Sequence, residues 1–422
     1  MPANAQTHYI ITTIAGTGIS RYSGDGGAGN AAGLQSDFAF IGGGYVNQVN
    51  VAIAPVNTAL YGTVVNGRAN FSNGDFSFIG NGGDLTVVGA PFPNNVASGN
   101  YSFIGNGQYN ISQGRYSFIG NGGGVGTVSG YYGNQATGNF SFIGNGAENM
   151  ATGLYSFIGN GCHNFSTGPA TFIGGGQYNT NAGVYSSIVG GRNNTIDSCA
   201  YYNFIGGGRR HFIDNHAAAN IIGSGDKNLI GTQSGFNIIG SGYYNGISSF
   251  ACFNAISGGY NNVISQNACF NTVSGGCGNM IGPDLLMVGP YKHALYNFIG
   301  AGRCNCIDAT NTAAASYGVI GGGQNNKICA VYNHSFIGSG YGNCVMGNCS
   351  SILGGQGNVV THNWASASGY NVASNQDCAF HANILVSTNM PPYTGVPSGT
   401  LQYFVAPAML GLPVGACLVV TK

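Results

Sequence analysis

The stretch that decides the fold is YSFIGNGQYNISQGRYSFIGNG, residues 101–122. The heptapeptide YSFIGNG stands at 101–107 and again at 116–122, a step of fifteen residues. Aligning the chain on the Ile of each such unit gives anchors at Ile41, Ile79, Ile104, Ile119, Ile143, Ile158, Ile173, Ile188, Ile205, Ile222, Ile239, Ile256, Val273, Ile299, Ile320, Ile337 and Ile352. The step is fifteen residues from Ile143 to Ile188 and seventeen from Ile188 to Val273. A fixed period of this size marks a repeat architecture, in which each unit buries its apolar face on the next.

Each unit carries a second apolar position just past an Asn, at Ile111, Phe165, Leu229, Ile247, Ile264, Ile281 and Ile328. Between the two positions come Gly-Gly or Asn-Gly pairs, which supply the positive φ that tight turns need. Two short strands and two turns per 15–17 residues make one coil of a parallel β-solenoid, or β-roll. Helix competes poorly, because a glycine inside a helix costs up to about 1 kcal/mol. The Asn after each turn recurs at fixed phase, so its amide is expected to stack on that of the next coil. At the spacing of paired strands, seventeen or eighteen coils would extend roughly 80–85 Å. Weakened copies are expected around Met287 and in SASGYN, 366–371. The stretches Val51–Arg68, Leu85–Val96, Val125–Tyr132, Pro283–Leu295 and Ala309–Tyr317 read as insertions decorating one side.

Composition narrows the function. Among 422 residues, charged side chains are 5% and the net charge is zero, against roughly 25% charged in ordinary domains. Only Arg209 and Arg210 stand side by side among the basic residues, so phosphate neutralisation has little to work with and nucleic acid is excluded as a partner. Hydrophobic residues at 43%, with 25 Tyr and 23 Phe, argue against disorder. The start lacks a basic segment followed by an apolar core, so no secretory signal is expected. LQYFVAPAMLGLPVGACLVV, 401–420, is long enough to span a membrane. Pro407, Gly411, Pro413 and Gly415 interrupt it, which favours two short strands and a turn over membrane insertion. The 12 cysteines include no CxxC, and packed free thiols are the expectation. One Ile and one smaller apolar residue per coil make a shallow core, and the aromatics beside each Ile call for a covering surface. Closed cyclic symmetry supplies one, and a trimer is the count expected.

Candidate chemistry is sparse. Asp197, Asp214 and Asp308 each lie nine residues after their unit's anchor, at Ile-Asp pairs, and Asp197 and Asp214 share a phase on adjacent coils. Two carboxyls about 5 Å apart suit a retaining glycosidase, but Asp in a turn caps local N–H groups equally well, and no catalytic residue is assigned. The histidines form no HxH or HExxH pattern, with His211 and His216 near Asp214 the nearest to a cluster; no metal and no cofactor are expected. The GNG and GGG triplets are turns, lacking the helix and Lys of a phosphate loop. Tyr131, Tyr132, Tyr201, Tyr202, Tyr243 and Tyr244 flank irregular segments and are the candidate binding residues, aromatic rings able to hold a host-surface glycan.

Units such as TGNFSFIGNGAENMATGLYSFIGNG, 137–161, resemble the head repeats of trimeric autotransporter adhesins, of the pattern sG-x-x-S-x-a-I-G-x-x-A, a type also seen in phage and virus fibre proteins. The resemblance covers about residues 37 to 375 and implies a left-handed parallel β-roll in an intertwined homotrimer. The chain departs from it in its seventeen-residue steps and in placing Asn where the family has Ala after the turn. No long heptad stalk or set of barrel strands accompanies the repeats, which favours a virion fibre over a self-secreting adhesin. ITTIAGTGISRYSGDGGAGNAAGLQS, 11–36, resembles the leader of an NHL-type propeller repeat, and 389–420 resembles a terminal module of phage structural proteins. The expected organisation is a docking segment at 1–36, a solenoid shaft at 37–375 and a C-terminal cap or tip at 376–422. The function expected is a non-enzymatic fibre on a virus or phage particle, assembled in the host cytoplasm and docked to other virion proteins through one terminus. A self-assembling filament or coat protein and a polysaccharide-degrading spike are the alternatives.

Overall fold

The computed structural model describes residues 40–42, 44, 47–49, 61–83, 95–123, 133–282, 294–308, 315–329, 334–382, 402–405 and 417–420. Every regular element among them is a β-strand, most of them two residues long. The chain divides into two compact units, Met1–Ala219 and Asn220–Lys422. In each, the described coils form a parallel β-solenoid.

In the first unit, strands carrying the Ile anchors pair in parallel from coil to coil, as in Phe142↔Phe157 with Ile143↔Ile158. A second column of strands does the same, as in Gln135↔Met150 with Ala136↔Ala151. Successive side chains on a strand face opposite ways. Ile104 and Ser112 therefore point into the coil and are fully buried, while Phe103 and Ile111 point outward and are only partly covered. In the second unit the same two columns run from Ile221–Ile222 to Phe380–Ala382 and from Leu229–Ile230 to Val359–Val360.

The anchors at Ile104, Ile119, Ile143, Ile158, Ile173, Ile188, Ile205, Ile222, Ile239 and Ile256 are all fully buried. Three second positions need correction. Ile111, Phe165 and Leu229 face outward, and the buried residue is the next one along: Ser112, Ser166 and Ile230. A Ser can take that place because its hydroxyl is satisfied inside the coil: Ser112 Oγ lies 2.7 Å from Ser117 Oγ, and Ser166 Oγ 2.7 Å from Thr171 Oγ1. In the seventeen-residue coils the inward residue is Ile196, Ile213, Ile230, Ile247 or Ile264, and two extra residues of perimeter house the larger side chain.

Residues 61–68 are a coil, not an insertion, with Val64 fully buried and paired between Ile41 and Ile79. SASGYN forms the coil expected, with Ser366–Tyr370 pairing along Ser351–Gln356. The strands Gln402–Val405 and Cys417–Val420 pair antiparallel, as two strands joined across the Pro and Gly residues require. The expectations for Met287 and for residues 11–36 lie outside the described residues.

The interior polar groups are Asn columns. In the first unit Asn70, Asn95, Asn110, Asn134, Asn149, Asn164, Asn179 and Asn194 stand one per coil and are buried. The Asn95 Oδ1 accepts both the N–H and the Nδ2 of Asn110, each at 3.1 Å. Asn110 Nδ2 also donates to the Gly122 carbonyl of the next coil at 2.8 Å. Each amide thereby closes a turn and links it to its neighbours, which makes a buried polar group tolerable. The second unit repeats the device with Asn228, Asn245, Asn262, Asn279, Asn305, Asn326, Asn343 and Asn358. It adds a second column, Asn220, Asn237, Asn254, Asn271 and Asn297.

The coils approach closely at the turns. At Gly107, with φ +121°, an added Cβ would stand 1.6 Å from the Gly122 carbonyl oxygen.

Candidate functional site

Each unit carries on its outside a column of stacked aromatic rings. In the first unit Tyr61, Phe76, Tyr101, Tyr116, Phe140 and Tyr155 stack face to face, with centroids 4.7–5.1 Å apart. Beside them Phe78, Phe103, Phe118, Phe142, Phe157 and Phe172 form a second column at 4.7–5.1 Å. One inward residue, such as Ser102, separates the two members in each coil, so the columns run side by side. The second unit carries Phe236, Phe253, Phe270, Tyr296, Tyr317 and His334 in one column at 4.7–5.1 Å.

These rings sit on backbone where they are conformationally disfavoured. Tyr101, Tyr116, Phe140 and Tyr155 have φ of 56–60°, the left-handed region in which Gly or Asn is the low-cost choice. A stacked contact contributes about 0.5–1.5 kcal/mol, which offsets part of a strain of about 1–2 kcal/mol per residue. Exposure of 40–56% for Tyr61, Phe76, Tyr101, Tyr116, Phe140 and Tyr155 leaves on the order of 100 Å² each, or about 600 Å² for the column, at the areas typical of aromatic side chains. That is the upper end of the largest apolar patch on a monomer, and with the Phe column it approaches the roughly 800 Å² per partner of a stable interface. Aromatics expected to be covered by other chains thus stack on one another within this chain and still leave their edges open.

Tyr202, 63% exposed, stacks on Tyr185 at 5.4 Å, and Tyr201 lies beside it in the same coil. Tyr243 meets Tyr244 edge-on at 4.5 Å and stacks on Tyr260 at 5.5 Å. The Lys227 Nζ donates to Tyr244 Oη at 2.5 Å, and that hydrogen bond, working against partial desolvation, holds the ammonium above its ordinary pKa. Tyr131 and Tyr132 lie outside the described residues.

The carboxylates serve turns. Asp197 Oδ1 accepts the N–H of Ser198 at 2.6 Å, and Asp214 Oδ1 that of Asn215 at 2.7 Å. Asp308 is buried and paired with Lys327 at 3.1 Å. His211 takes the Asn place in the interior column, its N–H donating to Asn194 Oδ1 at 3.0 Å, and His216 occupies a left-handed turn. Among the described residues no group of three or more His, Cys, Asp or Glu is arranged to hold a metal ion.

The cysteines depart from the expectation of packed thiols. Cys252 and Cys269, on adjacent coils, form a disulfide, and the described free cysteines are half-buried or exposed. The Cys344 thiol is brought down to about 7 by a hydrogen bond from Cys329, against the opposing effect of burial. Sequence reasoning also missed Cys162, His163 and Glu148, which meet at one corner of the first unit. The available signal was the fifteen-residue step from 148 to 163, which places both residues at one phase.

No known family model matches the chain. No characterised protein matches it either.

Proposed function

We propose that the protein is a non-enzymatic structural fibre of a virus or phage particle, a self-associating β-solenoid that presents a host-attachment surface. The observation that carries the reading is the pair of exposed aromatic columns in the first unit. Uncharged rings stacked through six successive coils, from Tyr61 to Tyr155 and from Phe78 to Phe172, suit contact with an identical repeating surface. Three copies around one axis would cover the columns and leave turns and tyrosine hydroxyls facing outward. Within a column the ring faces are occupied by neighbouring rings, so a glycan would meet hydroxyls and edges, as at Tyr202 and Tyr244. The low charge and the hydrogen-bonded Asn columns fit a part whose task is mechanical.

Negative-stain electron microscopy of the purified full-length protein tests this. Discrete fibres of uniform length are expected. Open-ended arrays would favour the filament or coat alternative, and single globular particles would contradict both.

A further inference from the structure

Glu148 and His163 occupy the same corner of neighbouring coils, each with φ of 55°. The His163 N–H donates to the Ala147 carbonyl at 3.1 Å, and the Tyr178 N–H to the Cys162 carbonyl at 3.0 Å, so the corner is fixed by backbone on both sides. His163 Nε2 is paired with Glu148 Oε2. On the other side of the ring, Cys162 Sγ lies 2.9 Å from His163 Nδ1. Tyr178 stacks on the imidazole at 4.7 Å, so the titratable groups against the ring are Cys162, Glu148 and Tyr178. The His163 and Glu148 side chains are 32% and 21% exposed, which leaves the corner open to small molecules.

The tautomer follows from the partners. An ionised carboxylate only accepts hydrogen bonds, so Nε2 carries the proton that faces Glu148. Nδ1 is left with a lone pair, and the Cys162 thiol donates to it. A nucleophile beside a base, with the base oriented by a third group, is the arrangement that activates a weak nucleophile. Burial first, and the Glu148 charge second, raise the pKa of Cys162. The resting sulfur is thus a thiol, and its proton must leave as it attacks.

The surroundings select the reaction class. Acyl transfer requires N–H donors aimed at a developing oxyanion. The N–H groups of Ala147, Cys162, His163, Gln177 and Tyr178 all donate to carbonyls of the solenoid, at 2.9–3.1 Å. Thiol–disulfide exchange develops no oxyanion and needs only a thiolate and a leaving thiol.

We propose that Cys162 is a thiol–disulfide exchange site for a small-molecule disulfide, with His163 as its general base and Glu148 as a positioning residue. His163 Nδ1 takes the thiol proton as the Cys162 sulfur attacks one sulfur of the disulfide. The old S–S bond breaks, one thiolate leaves, and the imidazolium returns the proton to it. One disulfide and one protein thiol become one mixed disulfide and one free thiol, with no other oxidant. This site does not depend on the fibre reading.

The test exposes the full-length protein to oxidised glutathione at pH 7 and follows each cysteine by peptide mass. Cys162 should react about tenfold or more faster than the exposed Cys199 and Cys378 in the same sample. His163→Gln should slow Cys162 on the order of 10²-fold, as loss of a general base does, and leave Cys199 unchanged. Glu148→Gln should slow it by a smaller factor. The pH profile of the wild-type rate should differ from that of His163→Gln, whose rate should climb only as the thiol itself ionises. A Cys162 no faster than Cys199 and Cys378 would overturn the proposal. So would a His163→Gln or Glu148→Gln protein with an unaltered rate and pH profile.

Discussion

Replacing Asn110 by Ala tests whether the interior amide column holds the solenoid together. In the native coil the two hydrogens of Asn110 Nδ2 are shared among three acceptors, Asn95 Oδ1 at 3.1 Å, the Asn106 carbonyl at 3.3 Å and the Gly122 carbonyl at 2.8 Å. Its Oδ1 accepts the backbone N–H of Asn134 at 3.0 Å. After truncation several partners keep a bond: Asn95 Oδ1 still accepts the backbone N–H of residue 110, and the Gly122 carbonyl still accepts from Gln108. The Asn134 N–H, at a residue with no exposure, loses its acceptor. An orphaned buried donor costs about 1–3 kcal/mol, and the other lost bonds add on the order of 1 kcal/mol, so about 2–4 kcal/mol is expected. Asn106, four residues earlier in the same coil, is the control. It is exposed, and its Nδ2 donates to Asn121 Oδ1 at 3.0 Å on the outside. Asn106→Ala should stay within about 0.5 kcal/mol of wild type, as surface changes do. Equilibrium urea unfolding followed by far-ultraviolet circular dichroism reads both. Equal losses for the two variants would refute the role given to the buried column.

Three further outcomes follow from the same interior. Asn110→Asp sets an acid oxygen where Nδ2 met three acceptors, so its folded pKa should rise above the unfolded value of about 3.9; stability should be greatest below that pH and fall as pH rises through the folded pKa, checked by urea midpoints at pH 3 and pH 7. Ser141 sits opposite Ala136 with its hydroxyl unpartnered, whereas Ser117 bonds Ser112 and the Gly114 carbonyl; Ser141→Ala should be neutral or stabilising and Ser117→Ala should cost about 1–3 kcal/mol in the same assay. Reducing the Cys252–Cys269 bond, which closes a loop of sequence separation 17, should destabilise the second unit by about 3 kcal/mol. A Cys269→Ser protein should show no further loss on reduction.

The coil was legible because Ile104, Ile119 and their equivalents recur with Phe before and Gly after, and stacking demands such recurrence. The Asn columns were legible for the same reason. Val64 escaped because GTVVNG lacks the Phe-Ile-Gly signature, although a β-branched residue fits the same buried place. At Ile111, Phe165 and Leu229 hydrophobicity is a poor mark of burial. In a coil this narrow the inward place at Ser112 and Ser166 admits a small polar residue that bonds across the coil, and the larger apolar neighbour is turned out. The aromatic columns are visible in the sequence as residues but not as geometry, since left-handed backbone at Tyr101 or Phe140 contradicts local preference and the stacking exists only between coils. The Cys162, His163 and Glu148 corner likewise exists only once 148 and 163 are stacked.

The mass of the native protein in solution, by light scattering beside an unboiled denaturing gel, tests self-association through the aromatic columns most directly. The chain mass is 43.0 kDa. A particle of three chains that resists detergent until boiled is the predicted result. A stable monomer of 43.0 kDa would contradict it, because the columns would then be open to water with no partner to cover them.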